Sequence, residues 1–121
     1  MTAEAFFEAL SNGQRHFSGL DFEYLDGFQN KDFSHCVFES CFLYLDFEGS
    51  NFTNAEFISC NLKEIRLVNC NLTNAMMKNC LVESADFTGS KTDGFVFREN
   101  YYFGHTLNQE DFEEFSTFKT D

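Results

Sequence analysis

Five cysteines, three histidines and twenty acidic side chains are the residues of this 121-residue chain that could do chemistry. Cysteine comes first. Allowing for two register shifts, Cys41, Cys60 and Cys80 fall on the same side of successive turns of the chain, about 4.8 Å apart at β-sheet spacing. A thiol column invites a metal, but zinc wants ligands that converge tetrahedrally, and parallel side chains with no neighbouring histidine do not converge. The same parallelism argues against disulfides, whose bonded sulfurs need their Cβ vectors to approach. Cysteine is also simply a small buried residue, and core packing is the expectation for all five. No metal and no cofactor is expected.

His16, His35 and His105 are scattered, and none has a cysteine or carboxylate at a spacing that suggests a catalytic pair. Nothing reads as a phosphate loop, a nucleophile elbow or a paired-histidine metal motif. Stacked Asp and Glu could imitate paired catalytic carboxylates, but an outward side chain on a convex surface has no pocket to dry it or shift its pKa. The residues therefore point away from an enzyme, and no catalytic residue is nominated.

What positions these side chains is a period of five. From Leu45 to Gly89 a large apolar residue returns every fifth position as Phe47, Phe52, Phe57, Leu62, Leu67, Leu72, Met77, Val82 and Phe87. Five residues turn an α-helix by about 140°, and an odd step alternates between the faces of a strand, so neither element gathers them on one side. A coil whose short sides are five residues long does so. Two residues before each large one stand Ser50, Ala55, Cys60, Ile65, Cys70, Ala75, Cys80 and Ala85, mostly small, as a narrow packed bore requires.

Four fives make one coil. Leu25, Leu45 and Ile65 are spaced twenty apart, and Ser50-Asn51-Phe52-Thr53-Asn54 recurs as Cys70-Asn71-Leu72-Thr73-Asn74. Arg66 lies twenty from both Asp46 and Asp86, which predicts a stacked ladder of alternating charge.

Ser50-Asn51-Phe52-Thr53-Asn54, Cys60-Asn61-Leu62-Lys63-Glu64 and Ala85-Asp86-Phe87-Thr88-Gly89 resemble the pentapeptide-repeat family, whose pattern is a small residue, Asp or Asn, Leu or Phe, then two polar positions. The resemblance covers Arg15 to Asn100 and implies a right-handed quadrilateral β-helix. The expected fold is thus all-β, about four coils, with a short helix at each end. The expected organisation is a capping helix in 1–14, the β-helix in 15–100, and a C-terminal segment in 101–121 with a capping or dimerisation helix.

At the N-terminus, Thr2 is an N-cap candidate, Phe6, Phe7 and Leu10 share a helical face, and Asn12-Gly13 stops the helix. The frame then slips twice: one extra residue in Leu25 to Asn30, with a corner bulge expected near Asp26-Gly27, and one residue short in Cys41 to Tyr44. Tyr101-Tyr102-Phe103-Gly104 is expected to break the frame. A last helix follows from Asn108, an N-cap candidate, with Leu107 and Phe112 placed for a hydrophobic staple. Its stripe of Phe112, Phe115 and Phe118 must bury against the last coil or a second copy. Together with Tyr101, Tyr102 and Phe103 it nominates a homodimer through the C-terminal segment.

A net charge of −12 disfavours nucleic acid and anionic membranes as direct partners and suits a basic protein. No apolar run is long enough for a span, and the opening carries no leader pattern. Cysteines at inward positions, odd in number, fit a reducing cytoplasm.

Two outward surfaces are candidates for binding. Val37, Phe42, Ile58, Met76, Leu81 and Val96 occupy positions where the family pattern expects polar groups, on two adjacent sides. Glu23, Asp26, Asp32, Glu39, Asp46, Glu48 and Glu56 make the first half strongly acidic, a surface that serves solubility or imitates phosphates. The functional expectation is a non-enzymatic protein-binding module or scaffold. The resemblance implies an alternative: some pentapeptide-repeat proteins, notably those conferring quinolone resistance, are acidic DNA mimics that act on DNA gyrase.

Overall fold

The computed structural model describes residues 1–117, which places Phe118 outside the described residues. Each group of five forms one side of a coil, and parallel pairing between coils runs along all four sides. On side one, β1 (His16–Ser18), β3 (Val37–Glu39), β5 (Glu56–Ile58), β6 (Met76–Lys78) and β7 (Val96–Arg98) make a five-stranded parallel sheet. Side two holds β2 (Asp21–Glu23) and β4 (Phe42–Tyr44), continued by bridges from Phe42 through Asn61 and Leu81 to Tyr101. Asp46, Arg66 and Asp86 stack on side three, and Asp32, Asn51, Asn71 and Lys91 on side four. The body is a right-handed four-sided β-helix of about four coils with a short helix at each end.

Successive partners on side one lie 21, 19, 20 and 20 residues apart, from His16 to Val37, Glu56, Met76 and Val96. The extra and missing residues of the sequence frame are both visible in these steps. Regular corners carry a left-handed residue two positions past the central one, such as Asn54 at φ 60° and Ser59 at φ 55°. Asn and Gly fill many of these positions because the left-handed region costs them least, and Ser takes several others. At Gly49 and Gly89 a Cβ would come within 2.1 Å of the Asn30 and Asn69 side-chain oxygens, so those amides would have to turn aside.

The extra residue lies where Tyr24 (φ 56°) and Gly27 (φ 95°) are both left-handed. The missing one is the corner residue itself: no residue between Ser40 and Gly49 has positive φ, and from Cys41 to Phe47 inward and outward residues strictly alternate. Here the structure corrects one reading. Leu45 and Ile65 are inward as the twenty-residue spacing expects, but Leu25 is 40% exposed, because the lengthened corner carries it out of the wall.

The bore is filled by the central residues, with Phe33, Phe52, Phe57, Leu62, Leu67 and Met77 fully buried. The small inward residues follow a rule the period alone does not reveal. At the corner after side one, Cys60 and Cys80 donate their thiols to the carbonyls of Phe38 and Phe57, at 3.2 and 3.4 Å, and Asn100 continues the column with its amide on Met77 at 3.0 Å. After side three, Ser50 and Cys70 donate to Phe28 and Phe47, at 2.9 and 3.2 Å, and Ser90 to Leu67. Each side chain reaches the central carbonyl one coil earlier. At the other two corners stand mainly apolar residues, Leu45, Ile65 and Ala85, and Cys36, Ala55 and Ala75.

Both ends are closed. Helix α1 (Ala3–Ser11), capped by the Thr2 hydroxyl on the Ala5 amide at 3.1 Å, drives Phe6 into the first coil among Phe17, Phe22, Phe28 and Phe33. At the far end the frame continues one side further than expected, since Tyr101 still pairs with Leu81. Then β8 (Asn100–Tyr102) turns through the left-handed pair Phe103 and Gly104 into antiparallel β9 (His105–Leu107). Two successive left-handed residues are what a tight hairpin requires.

Helix α2 (Gln109–Thr117) lies across the last coil, with Phe112 against Phe87, Phe95 and Phe97, and Phe115 against Phe87 and Phe97. The Asn108 side chain does not cap this helix as the sequence suggests. Its oxygen accepts the Glu99 amide at 2.9 Å, while the Asp111 carboxylate accepts the Asn108 amide at 2.8 Å. The coil edge is the stronger claimant, because its amides would otherwise be left unpaired by the end of the solenoid.

Candidate functional site

The walls are best judged column by column. On side one Val37, Met76 and Val96 share a column with His16 and Glu56, while Ile58 shares the other with Ser18, Glu39, Lys78 and Arg98. On side two Phe42 and Leu81 are separated by Asn61. The six outward apolar residues are therefore striped with polar ones and do not form one patch, and α2 covers the end of the bore, not this wall. All but Val96, which is 39% exposed, are half-buried by their column neighbours.

The acidic residues go round the rod. Glu39 and Glu56 are on side one, Glu23 on side two, Asp26 in the lengthened corner, Asp46 and Glu48 on side three, and Asp32 on side four. Several are engaged. The Ser34 hydroxyl, and then its amide at 2.9 Å, hold the Asp32 carboxyl below its ordinary pKa, and His16 lies 3.2 Å from Glu39. The predicted ladder has the right register on side three, but Arg66 directs its guanidinium to Asp46, at 2.9 Å, and to Glu48. One Asp86 oxygen accepts the Thr88 amide and hydroxyl, at 2.9 and 2.6 Å.

Charge and irregularity coincide at the corner between sides two and three. The lengthened corner of the first coil and the shortened corner of the second leave a cleft of about 390 Å³. One wall is aromatic: Tyr24 and Tyr44 pack at a centroid separation of 4.8 Å, and Tyr24 is 78% exposed. Tyr24 occupies the regular left-handed corner position two past Phe22, which turns its side chain outward. Leu25 and Leu45 add apolar surface, and Asp26, Asp46, Glu64 and Arg66 complete the lining. The Glu64 charge is the main influence holding the Tyr44 phenol above its ordinary pKa.

Sequence reasoning nominated Asp26 and Asp46 but missed Tyr24, Tyr44, Glu64 and Arg66 as partners in one site. A signal was present, since both frame slips fall between Leu25 and Tyr44 and so concern the same corner of adjacent coils. Two other hollows belong to the end caps, a shallow one of about 560 Å³ beside the end of α1 and one of about 270 Å³ lined by Tyr102, Leu107 and Phe115. Among the described residues no group of three or more His, Cys, Asp or Glu is placed to hold a metal ion. No described helix is long and apolar enough to cross a membrane.

The four-sided solenoid, its five-residue sides and its inward columns define a repeat protein of the pentapeptide class. The family model described as the pentapeptide repeat region matches residues 31–112, and the chain belongs to that family. Among solved structures it is similar to a pentapeptide repeat protein (Rfr23) from the cyanobacterium Cyanothece 51142, at 10% identity, covering 89% of this chain and 100% of that one with a TM-score of 0.37. No curated protein matches it in sequence.

Proposed function

We propose that this chain is a non-enzymatic binding module: a rigid four-sided rod that holds a positively charged protein partner against its sidewall at the corner between sides two and three. The observation that carries the reading is the cleft. It combines acidic, aromatic and apolar side chains where the repeat departs from regularity, and a cleft with that mixture is suited to orienting a partner group. The chain's charge of −12 draws a basic partner and repels acidic ones. A parallel sheet cross-linked by hydrogen bonds on every side gives the cleft a fixed frame, so little ordering cost opposes binding.

The test is position-specific cross-linking in cells. A photo-reactive residue in place of Glu23, on side two beside the cleft, is expected to give a discrete heavier adduct, while one in place of Lys91, on side four, gives none. Identical adduct patterns from both positions would overturn the reading. Action as a DNA mimic on DNA gyrase draws on the same charge, but the first-half acids do not share one face. Gyrase supercoiling unchanged by the added protein is the outcome expected here, and inhibition at micromolar concentration would favour the mimic.

A further inference from the structure

We propose that the cleft at the corner of sides two and three is a receptor for a single arginine side chain of the partner, seated against the Tyr24 and Tyr44 rings with its guanidinium turned to the carboxylates of Asp26 and Glu64. This rests on the protein-binding reading above and specifies the group that is bound.

Charge decides the sign of the ligand. Five charged side chains lie in or beside the cleft, and the one cation among them, Arg66, is already paired with Asp46 and Glu48. Asp26 and Glu64 are exposed carboxylates in the cleft lining, Glu64 hydrogen-bonded to the Tyr44 phenol. An anionic ligand would meet these two and would have to break the Arg66 pairs to find a counter-charge. A cation adds to the site without dismantling it.

Shape decides the kind of cation. The aromatic faces attract positive charge, and a flat, weakly hydrated guanidinium both stacks on a ring and forks to a carboxylate, which a compact, strongly hydrated ammonium does less well. The apolar surface of Leu25 and Leu45 suits the methylene stem behind such a head group. A volume of about 390 Å³ is ample for one long side chain and small for a folded element. A second copy of this chain is a poor occupant, since both copies carry −12.

The experiment is a calorimetric titration of the full chain with a short glycine-rich peptide bearing one central arginine, beside the same peptide with citrulline, its uncharged isostere, and with lysine. Arginine is expected to bind at least tenfold more tightly than citrulline and several-fold more tightly than lysine. Tyr24→Ala and Glu64→Gln should each weaken arginine binding about fivefold or more. Tyr24→Phe should stay within about twofold, which separates loss of the ring from loss of the fold. Glu56→Gln, an acid on side one, should have no effect.

Arginine bound equally well by wild type, Tyr24→Ala and Glu64→Gln would show a diffuse effect of net charge and overturn the proposal, as would no binding at all. If side-two cross-links persist while the peptide fails to bind, the receptor is wrong and the binding module stands. Peptide binding with no side-specific cross-link would sink the module and leave the cleft's chemistry intact.

Discussion

The Gln109 side-chain oxygen accepts the Phe97 amide at 2.7 Å, where another coil would have put a backbone carbonyl. Asn108 does the same for Glu99 at 2.9 Å, so two consecutive amide side chains cap the last side-one edge. Antiparallel β9 closes side two. An open parallel edge is a template for another chain. Truncation after Asn100 removes all of these devices together with Phe112 and Phe115, and light scattering should find the truncated chain self-associated. The full chain should run as a monomer at micromolar concentration. A dimeric full chain would mean that the surface left exposed at Tyr101 and Phe103, 37% and 66% accessible, forms the C-terminal contact instead.

Leu67 and Thr73 measure the inward and outward faces against each other. Leu67 is wholly buried with a coil on each side, and Leu67→Ala should lower unfolding stability by about 2 to 5 kcal/mol. The Thr73 hydroxyl bonds Asn71 within its own coil at 2.6 Å and does not bridge to Thr53, so Thr73→Ala should cost under about 1 kcal/mol. Urea denaturation distinguishes the two, and equal losses would mean the faces are misassigned.

The period of five made the inward column legible because burial in a solenoid repeats with the coil: Phe47, Phe52 and Phe57 have no alternative that keeps them out of water. The frame slips were legible for the same reason, since a displaced phenylalanine is easily seen. The cleft was not. Tyr24, Tyr44 and Glu64 are spaced twenty apart and so share a column, but the opening beside them exists only because one corner is lengthened and the next shortened, a matter of backbone path that periodicity does not encode. The stripe of Phe112 and Phe115 was visible too, but its destination depended on whether the last coil had room, which only the packing of Phe87, Phe95 and Phe97 reveals.

Cys60 tests whether the inward thiols are rungs or filler. Its sulfur donates to Phe38, so Cys60→Ser, with a stronger donor of similar shape, should stay within about 1 kcal/mol of wild type. Cys60→Val fills the space but leaves the carbonyl without that donor, and should cost about 1 to 3 kcal/mol in urea denaturation. Equal stability of the two variants would make these contacts incidental.

The alkaline limb of stability follows from burial of the thiols. Burial is the main influence pushing both Cys36 and Cys70 up to about 11, from an ordinary value of 9.0. The folded chain therefore keeps protons that the unfolded chain releases, and folding stability must fall with rising pH across that interval. The contribution is fully present below pH 9 and is lost as pH climbs towards 11. A double variant isolates it with little change in packing, because each replacement copies a neighbour in its own column: Cys36→Ala follows Ala55 and Ala75, and Cys70→Ser follows Ser50 and Ser90. Tyrosine and lysine titrations are common to both proteins and cancel in the comparison. The wild-type melting temperature should drop more steeply than the variant's between pH 9 and 11, and thiol alkylation of the folded wild type at pH 8 should be slow. Parallel pH profiles, or rapid labelling of Cys70 at pH 8, would place these sulfurs in contact with water and refute the inward column.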